Sequence, residues 1–267
     1  MIVSAVALVA AVACYGVAGA RLSDGAREAG PTLRSRAWWT GTALQAGGFG
    51  TSAVARADLP LLVVQCAVVA ALAVTAVLQQ LAGVRRPTRT DAPALVATVA
   101  GLGLLVAATV PGPAVSGGTA LLVGLAAAVV LALVAVGVPA GTWVSGALAG
   151  IGFSVGAVGV RALVSRLPDA WWRFWDLPGE LWLLGVLTAA GMVLGQLHLT
   201  RGLAAAPAVP VLAVMYVVST LLPAAAGHWL LDERTRAGWA PAAVAGAVLA
   251  LVGALSLLRG ERSRSPA

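Results

Sequence analysis

An all-α polytopic integral membrane protein is the fold class this sequence predicts, and three observations predict it. The chain is 60% hydrophobic and only 10% charged, against roughly 25% charged in a soluble globular domain. Apolar runs of about 20 residues, each long enough to cross a hydrocarbon core about 30 Å thick, recur along the whole chain between clusters of Arg, Asp, Pro and Gly. A short signature, Gly-x-x-Gly-x-Arg, is written twice, at Gly16/Gly19/Arg21 and at Gly156/Gly159/Arg161. Together they predict about nine transmembrane helices, arranged as two inverted four-helix repeats joined by a connecting helix. The division is a first repeat over 1–111, the connector over 112–141, a second repeat over 142–258 and a cytoplasmic tail over 259–267.

The spans fall at about 1–20, 37–57, 60–83, 93–111, 119–138, 142–165, 182–203, 207–230 and 238–258. The first lacks the basic n-region of a signal peptide, and its motif returns in the sixth, so it reads as a helix of the folded protein. A displacement of 147 residues superposes Pro31 on Pro178, Gly48 on Gly195, Pro60 on Pro207, Thr88 on Thr235 and Arg89 on Arg236. The Gly-x-x-Gly-x-Arg pair needs 140, a difference that loops absorb. Equivalent helices five spans apart cross the bilayer in opposite directions, an inverted repeat of the kind many secondary transporters use. The 119–138 span, built from Thr, Ala, Leu, Val and Gly, is the expected spacer and lines no polar path. Small residues three or four apart flatten one helix face and let two spans cross tightly; a glycine hinge is the sharper alternative.

The net charge of +7 comes from Arg in the short connections, with no Lys in the chain. These residues read as topology signals beside lipid headgroups and not as a nucleic-acid surface. An outside N-terminus places Arg21, Arg27, Arg34, Arg36, Arg85, Arg86, Arg89, Arg201, Arg259, Arg262 and Arg264 in the cytoplasm, where positive charge collects. The expected location is therefore the cell inner membrane, with the C-terminal tail cytoplasmic. The loop "RLPDAWWRFWDLPGELW" gathers Trp171, Trp172, Trp175 and Trp182, a pattern that suits interfacial anchoring, with a gate over a cavity as the alternative. Cys14 and Cys66 fall inside apolar runs and predict lipid-buried thiols instead of a disulfide framework.

Every acidic residue lies in a loop or at a span end, which weakens any divalent-cation or buried proton-relay mechanism and predicts neither metal nor cofactor. No Ser/His/Asp, Cys/His or metal-ligand set shares one membrane depth, so no enzyme is expected. What remains is uncharged polar chemistry. Tyr216, Ser219 and Thr220 share one helix face midway along their span, at i, i+3 and i+4. Gln45, Gln65, Gln196, His198 and Tyr15 add polar groups on other spans. The plain reading is helix-to-helix hydrogen bonding. As a set converging on a repeat interface they are the candidate substrate-binding lining. His198 and His228, near span ends, read by default as interfacial polar tips.

The stretch "LLDERTRAGWAPAAVAGAVLALVGALSLL", with Glu233 and Arg234 before its last apolar helix, resembles the end of the EamA-like repeat of the drug/metabolite transporter superfamily. The first half departs, carrying Arg85, Arg86 and Pro87 at that point. "AWWTGTALQAGGFG" followed by "LPLLVVQ" is similar to the nine-span NIPA-type magnesium transporters, with Trp38, Trp39, Gly41, Gly48 and Pro60 in step. Where that pattern has an intramembrane Glu, this chain has Phe49. The resemblance implies a transporter of a small organic solute or drug-like metabolite working by alternating access. A divalent-cation transporter and a non-transporting membrane scaffold are the alternatives. The implied partners are a small-molecule substrate and the lipid bilayer, with a homodimer left open and no nucleic acid.

Overall fold

The computed structural model describes residues 2–55, 61–83, 89–110, 118–164, 166, 174–230 and 234–262. Among them the chain forms nine α-helices: α1 (Ile2–Arg27), α2 (Arg36–Ala55), α3 (Leu61–Leu81), α4 (Asp91–Ala108), α5 (Gly118–Val134), α6 (Thr142–Val164), α7 (Gly179–Ala205), α8 (Ala208–Leu230) and α9 (Ala240–Arg262). Short 3-10 turns occupy Thr32–Arg34, Ala135–Gly137 and Phe174–Asp176. The helical hydrogen bonds satisfy each helix's backbone internally, which lets its apolar side chains meet either protein or hydrocarbon. Among the described residues, Ile2–Arg27, Gly118–Gly137, Thr142–Leu163 and Gly179–Ala205 are long and apolar enough to cross a membrane. Shorter apolar helical stretches lie at Ala71–Leu81, Asp91–Leu105, Ala208–Pro223 and Ala240–Gly253. The outward faces carry exposed Val6, Val9, Val123, Val130, Leu133, Val186, Val244 and Val248, an apolar exterior compatible with a hydrocarbon surrounding.

One expected break is absent. α1 continues past residue 20 through Arg27 because its last turns are covered and not solvated: Gln79 Nε2 donates to the buried Ser23 Oγ at 3.3 Å, and Gly25 lies against the Trp38 backbone. Arg21 and Asp24, expected in a loop, form an exposed i,i+3 pair at 3.8 Å on this helix. Such a pair contributes almost nothing to stability.

The main core, including Leu22, Leu72, Leu102, Leu199, Leu203, Val209 and Leu212, sits where α1, α3, α4, α7 and α8 meet. A second cluster, Leu121 and Leu125 with Val155, Val158, Leu181 and Leu184, holds α5 against α6 and α7. α1 packs on α2 and α3 as α6 packs on α7 and α8, while α4 pairs with α9 and α3 touches α8. Two of these crossings are very close. A Cβ on Gly152 would stand 2.5 Å from the Gly195 Cα, and one on Gly246 would stand 2.7 Å from the Gly101 carbonyl oxygen. Only glycine admits such backbone contact.

The repeated motif does make tight crossings, but against different partners. Gly16 and Gly19 face Val74 and Thr75 of α3, with Leu212 of α8 also against Gly19; Gly156 and Gly159 face Met192 and Thr188 of α7. The packing counterpart of Gly16, which meets Val74 and the Ala71 carbonyl, is Gly150, which meets Val218 and the Met215 carbonyl. In a chain with 32 glycines, motif identity and helix contact pair Gly16 with different residues of α6. Gly48 of α2 rests on Tyr15 of α1, and Gly195 of α7 on Phe153 and Ala149 of α6.

The far ends of α4 and α8 are joined by a two-residue antiparallel pair, β1 (Thr109–Val110) with β2 (Arg234–Thr235), extended by the Arg236 N–H donating to the Ala108 carbonyl at 2.8 Å. Arg236 then lies 5.2 Å over the Trp239 ring. Of the Trp-rich loop, Trp175 and Trp182 are exposed and Arg166 pairs with Glu180 at 2.7 Å, while Trp171 and Trp172 lie outside the described residues. So do Pro60, Arg85, Arg86, Pro87, Thr88 and Glu233, and the side chains of Cys66, His228 and Arg234. Cys14 is a half-buried free thiol.

Candidate functional site

A cavity of about 900 Å³ lies between α1, α2, α6, α7 and α8, so that helices of both halves wall it. Its face on α2 is Trp38, Thr42, Gln45 and Phe49, positions that follow the helical repeat down one side. α7 contributes Met192, Gln196, Thr200 and Arg201, and α8 contributes Leu212, Tyr216, Ser219 and Thr220. Tyr15 enters from α1 and Phe153 from α6. Both tyrosines of the chain and two of its three phenylalanines thus line one cavity.

Hydrogen bonds tie α2 to α7 across one side. Trp38 Nε1 donates to Thr200 Oγ1 at 3.0 Å, and Gln196 Nε2 reaches Thr42 Oγ1 at 3.5 Å. The two threonine hydroxyls donate back to their own helices, Thr200 to the Gln196 carbonyl at 2.8 Å and Thr42 to the Trp38 carbonyl at 3.0 Å. Gln45 Oε1 is buried and has no hydrogen-bond partner among the described residues. An unpaired acceptor beside a cavity is an unmet demand for a donor.

On α8 the hydroxyls turn inward on the helix. Ser219 and Thr220 both donate to the Tyr216 carbonyl, at 3.2 and 2.8 Å. Pro223 lies within the same helix, and a proline removes the N–H that would bond the carbonyl four residues earlier, that of Ser219. The α8 wall is a stretch where the helical ladder is interrupted.

Of the residues singled out in sequence, Tyr15, Gln45, Gln196, Tyr216, Ser219 and Thr220 converge on this cavity. The side chain of Gln65 lies outside the described residues. His198 requires a correction. It is fully buried on the opposite face of α7, where Nε2 bonds the Ala132 carbonyl of α5 at 2.8 Å, and it does not line the cavity. Two residues beyond Gln196 on a helix of 3.6 residues per turn, it points to the far side. α5 itself contributes nothing to the wall among the described residues. Thr42, Thr200, Phe153 and Met192 were not singled out, and Arg201 was read only as a topology signal. The signal for the first two was there: Thr42 follows Trp38, and Thr200 follows Gln196, at helical i,i+4 spacing.

Compared with models of protein families, with curated proteins and with solved structures, the chain matches none.

Proposed function

We propose that this protein is a secondary membrane transporter of the drug/metabolite type, moving a small organic solute by alternating access through the cavity between its halves. The observation that carries the reading is the cavity itself: roomy, mostly apolar, bearing a few convergent polar groups, and walled by helices from both halves. Two inverted four-helix units are supported by the parallel packing orders, α1 on α2 and α3 against α6 on α7 and α8. They are supported further by the matched contacts of Gly16 with Gly150 and of Gly48 with Gly195. The proposed insertion is in the cell inner membrane with the N-terminus outside, following the Arg distribution.

Magnesium is a poor fit as cargo. Neither Asp nor Glu lines the cavity among the described residues, Phe49 occupies its wall, and no group of three or more His, Cys, Asp or Glu comes together there. Hard divalent cations want oxygen ligands, usually carboxylates. Testing the reading takes two steps: a thermal-stabilisation panel of cations, amino acids, sugars and lipophilic drugs on the purified protein, then flux of each stabilising compound in proteoliposomes. Stabilisation with saturable flux is expected. Stabilisation by none and flux of none would leave the membrane-scaffold reading; saturable magnesium uptake above empty vesicles would replace the organic cargo with a metal.

A further inference from the structure

We infer that the cavity takes an amphipathic monoanion, its carboxylate held by Arg201 and its apolar body lying along Trp38, Phe49, Phe153 and Tyr216. This rests on the transporter reading only in using the same cavity. Arg201 is half-buried on the cavity wall near the end of α7. Its Nη1 donates to the carbonyls of Ala135 at 3.3 Å and Val136 at 3.0 Å, and its Nη2 to that of Val138 at 2.9 Å. A guanidinium carries five N–H donors, so Nε–H and one Nη2 N–H remain without a partner among the described residues. Those are two donors of the fork that binds carboxylates.

The charge balance points the same way. No carboxylate lines the cavity among the described residues, so Arg201 stands there without a counter-ion. A partly desolvated charge of this kind is costly unless paired, and a bound carboxylate pairs it. An organic cation would meet the reverse: no acid to receive it and a like charge already present. The attraction of aromatic faces for a cation is smaller than the cost of burying a like-charge pair. The same end of the cavity wall is flanked by basic residues. Thr32 and Leu33 line the cavity on the turn that leads into exposed Arg34 and Arg36, and exposed Arg27 reaches the Leu203 carbonyl at 3.1 Å. Such Arg residues set topology, and the same charges raise the local concentration of anions around them. From Arg201 to Met192 along α7 is about 13 Å at 1.5 Å per residue, which sets the length of body the cavity can hold behind the head.

The test uses the full-length protein in detergent and three probes sharing one body: phenylbutyrate, its primary amide and phenylbutylamine. Phenylbutyrate is expected to bind about tenfold or more tighter than the amide, with the amine weakest. Arg201→Gln should remove the gap between carboxylate and amide while leaving amide binding within about twofold, and Arg201→Lys should restore part of it. Arg201 also holds the turn that follows α5, so if Arg201→Gln fails to fold, the wild-type ranking and the lysine variant decide. Equal binding of carboxylate and amide, preference for the amine, or binding of none of the three overturns the assignment. Flux measurements separate the two readings. A bound carboxylate that does not move across proteoliposomes keeps the anion site and removes transport, whereas flux of an uncharged solute without carboxylate preference keeps transport and removes the anion site.

Discussion

Ser219 and Thr220 hydrogen-bond within their own helix, and that decides what their removal should do. A hydroxyl folded back on its own carbonyl contributes little to helix stability, so Ser219→Ala is expected to change stability by less than about 1 kcal/mol. If the α8 face binds cargo, Tyr216→Phe and Ser219→Ala weaken ligand affinity several-fold at nearly unchanged melting temperature. The paired measurement on each variant decides it: loss of melting temperature with affinity intact would take these residues out of the site. His198 makes the opposite case. Its ring bonds the Ala132 carbonyl away from the cavity, so His198→Leu should lower stability by about 1 to 3 kcal/mol and spare affinity, as calorimetry and ligand titration on one preparation would show. At this scale the sequence was legible wherever polar residues kept helical spacing, as at Tyr216, Ser219 and Thr220. It was not legible for His198, whose polarity matched Gln196 but whose angle around α7 did not, nor for Arg201, whose charge read as a topology signal because every other basic residue did.

The helices were legible to within a few residues because each is a continuous apolar run bounded by Arg, Asp, Pro or Gly. The exception is α1, where Ser23 and Gly25 are buried by neighbours that composition does not announce. Register was harder. Glycine is frequent enough that a matching motif carries little information, and Gly16 is matched in packing by Gly150 and not by Gly156. The crossing of α6 and α7 supplies a prediction at this scale. Gly152 meets the Gly195 backbone and has no side chain to push aside, so Gly152→Ala should destabilise by about 1 to 3 kcal/mol. Gly185 on α7 has nothing within 4 Å, so Gly185→Ala should be neutral or stabilising by up to about 1 kcal/mol through helix propensity. Thermal unfolding of both in the same detergent is the check, and equal effects would show that the crossing is looser than its geometry.

At the scale of the whole molecule, the Arg distribution and the nine proposed crossings predict opposite sides for the two termini. A reporter fused after Ala267 should be active only on the cytoplasmic side, and activity confined to the outer side would reverse the proposed orientation. The clasp of β1 with β2 bears on how such a molecule moves. Arg201 on the cavity wall lies just before the start of α8, and the clasp follows the other end of that helix. α8 runs 23 residues between them, about 34 Å at 1.5 Å per residue. The clasp's backbone hydrogen bonds tie α4 to the end of α8, and the close crossing of Gly101 with Gly246 ties α4 to α9 as well. If the proposed rocking occurs, these ties are where displacement is smallest and α8 is the lever: a rotation of about 10° becomes a gap of about 6 Å at the tip of an arm of about 34 Å.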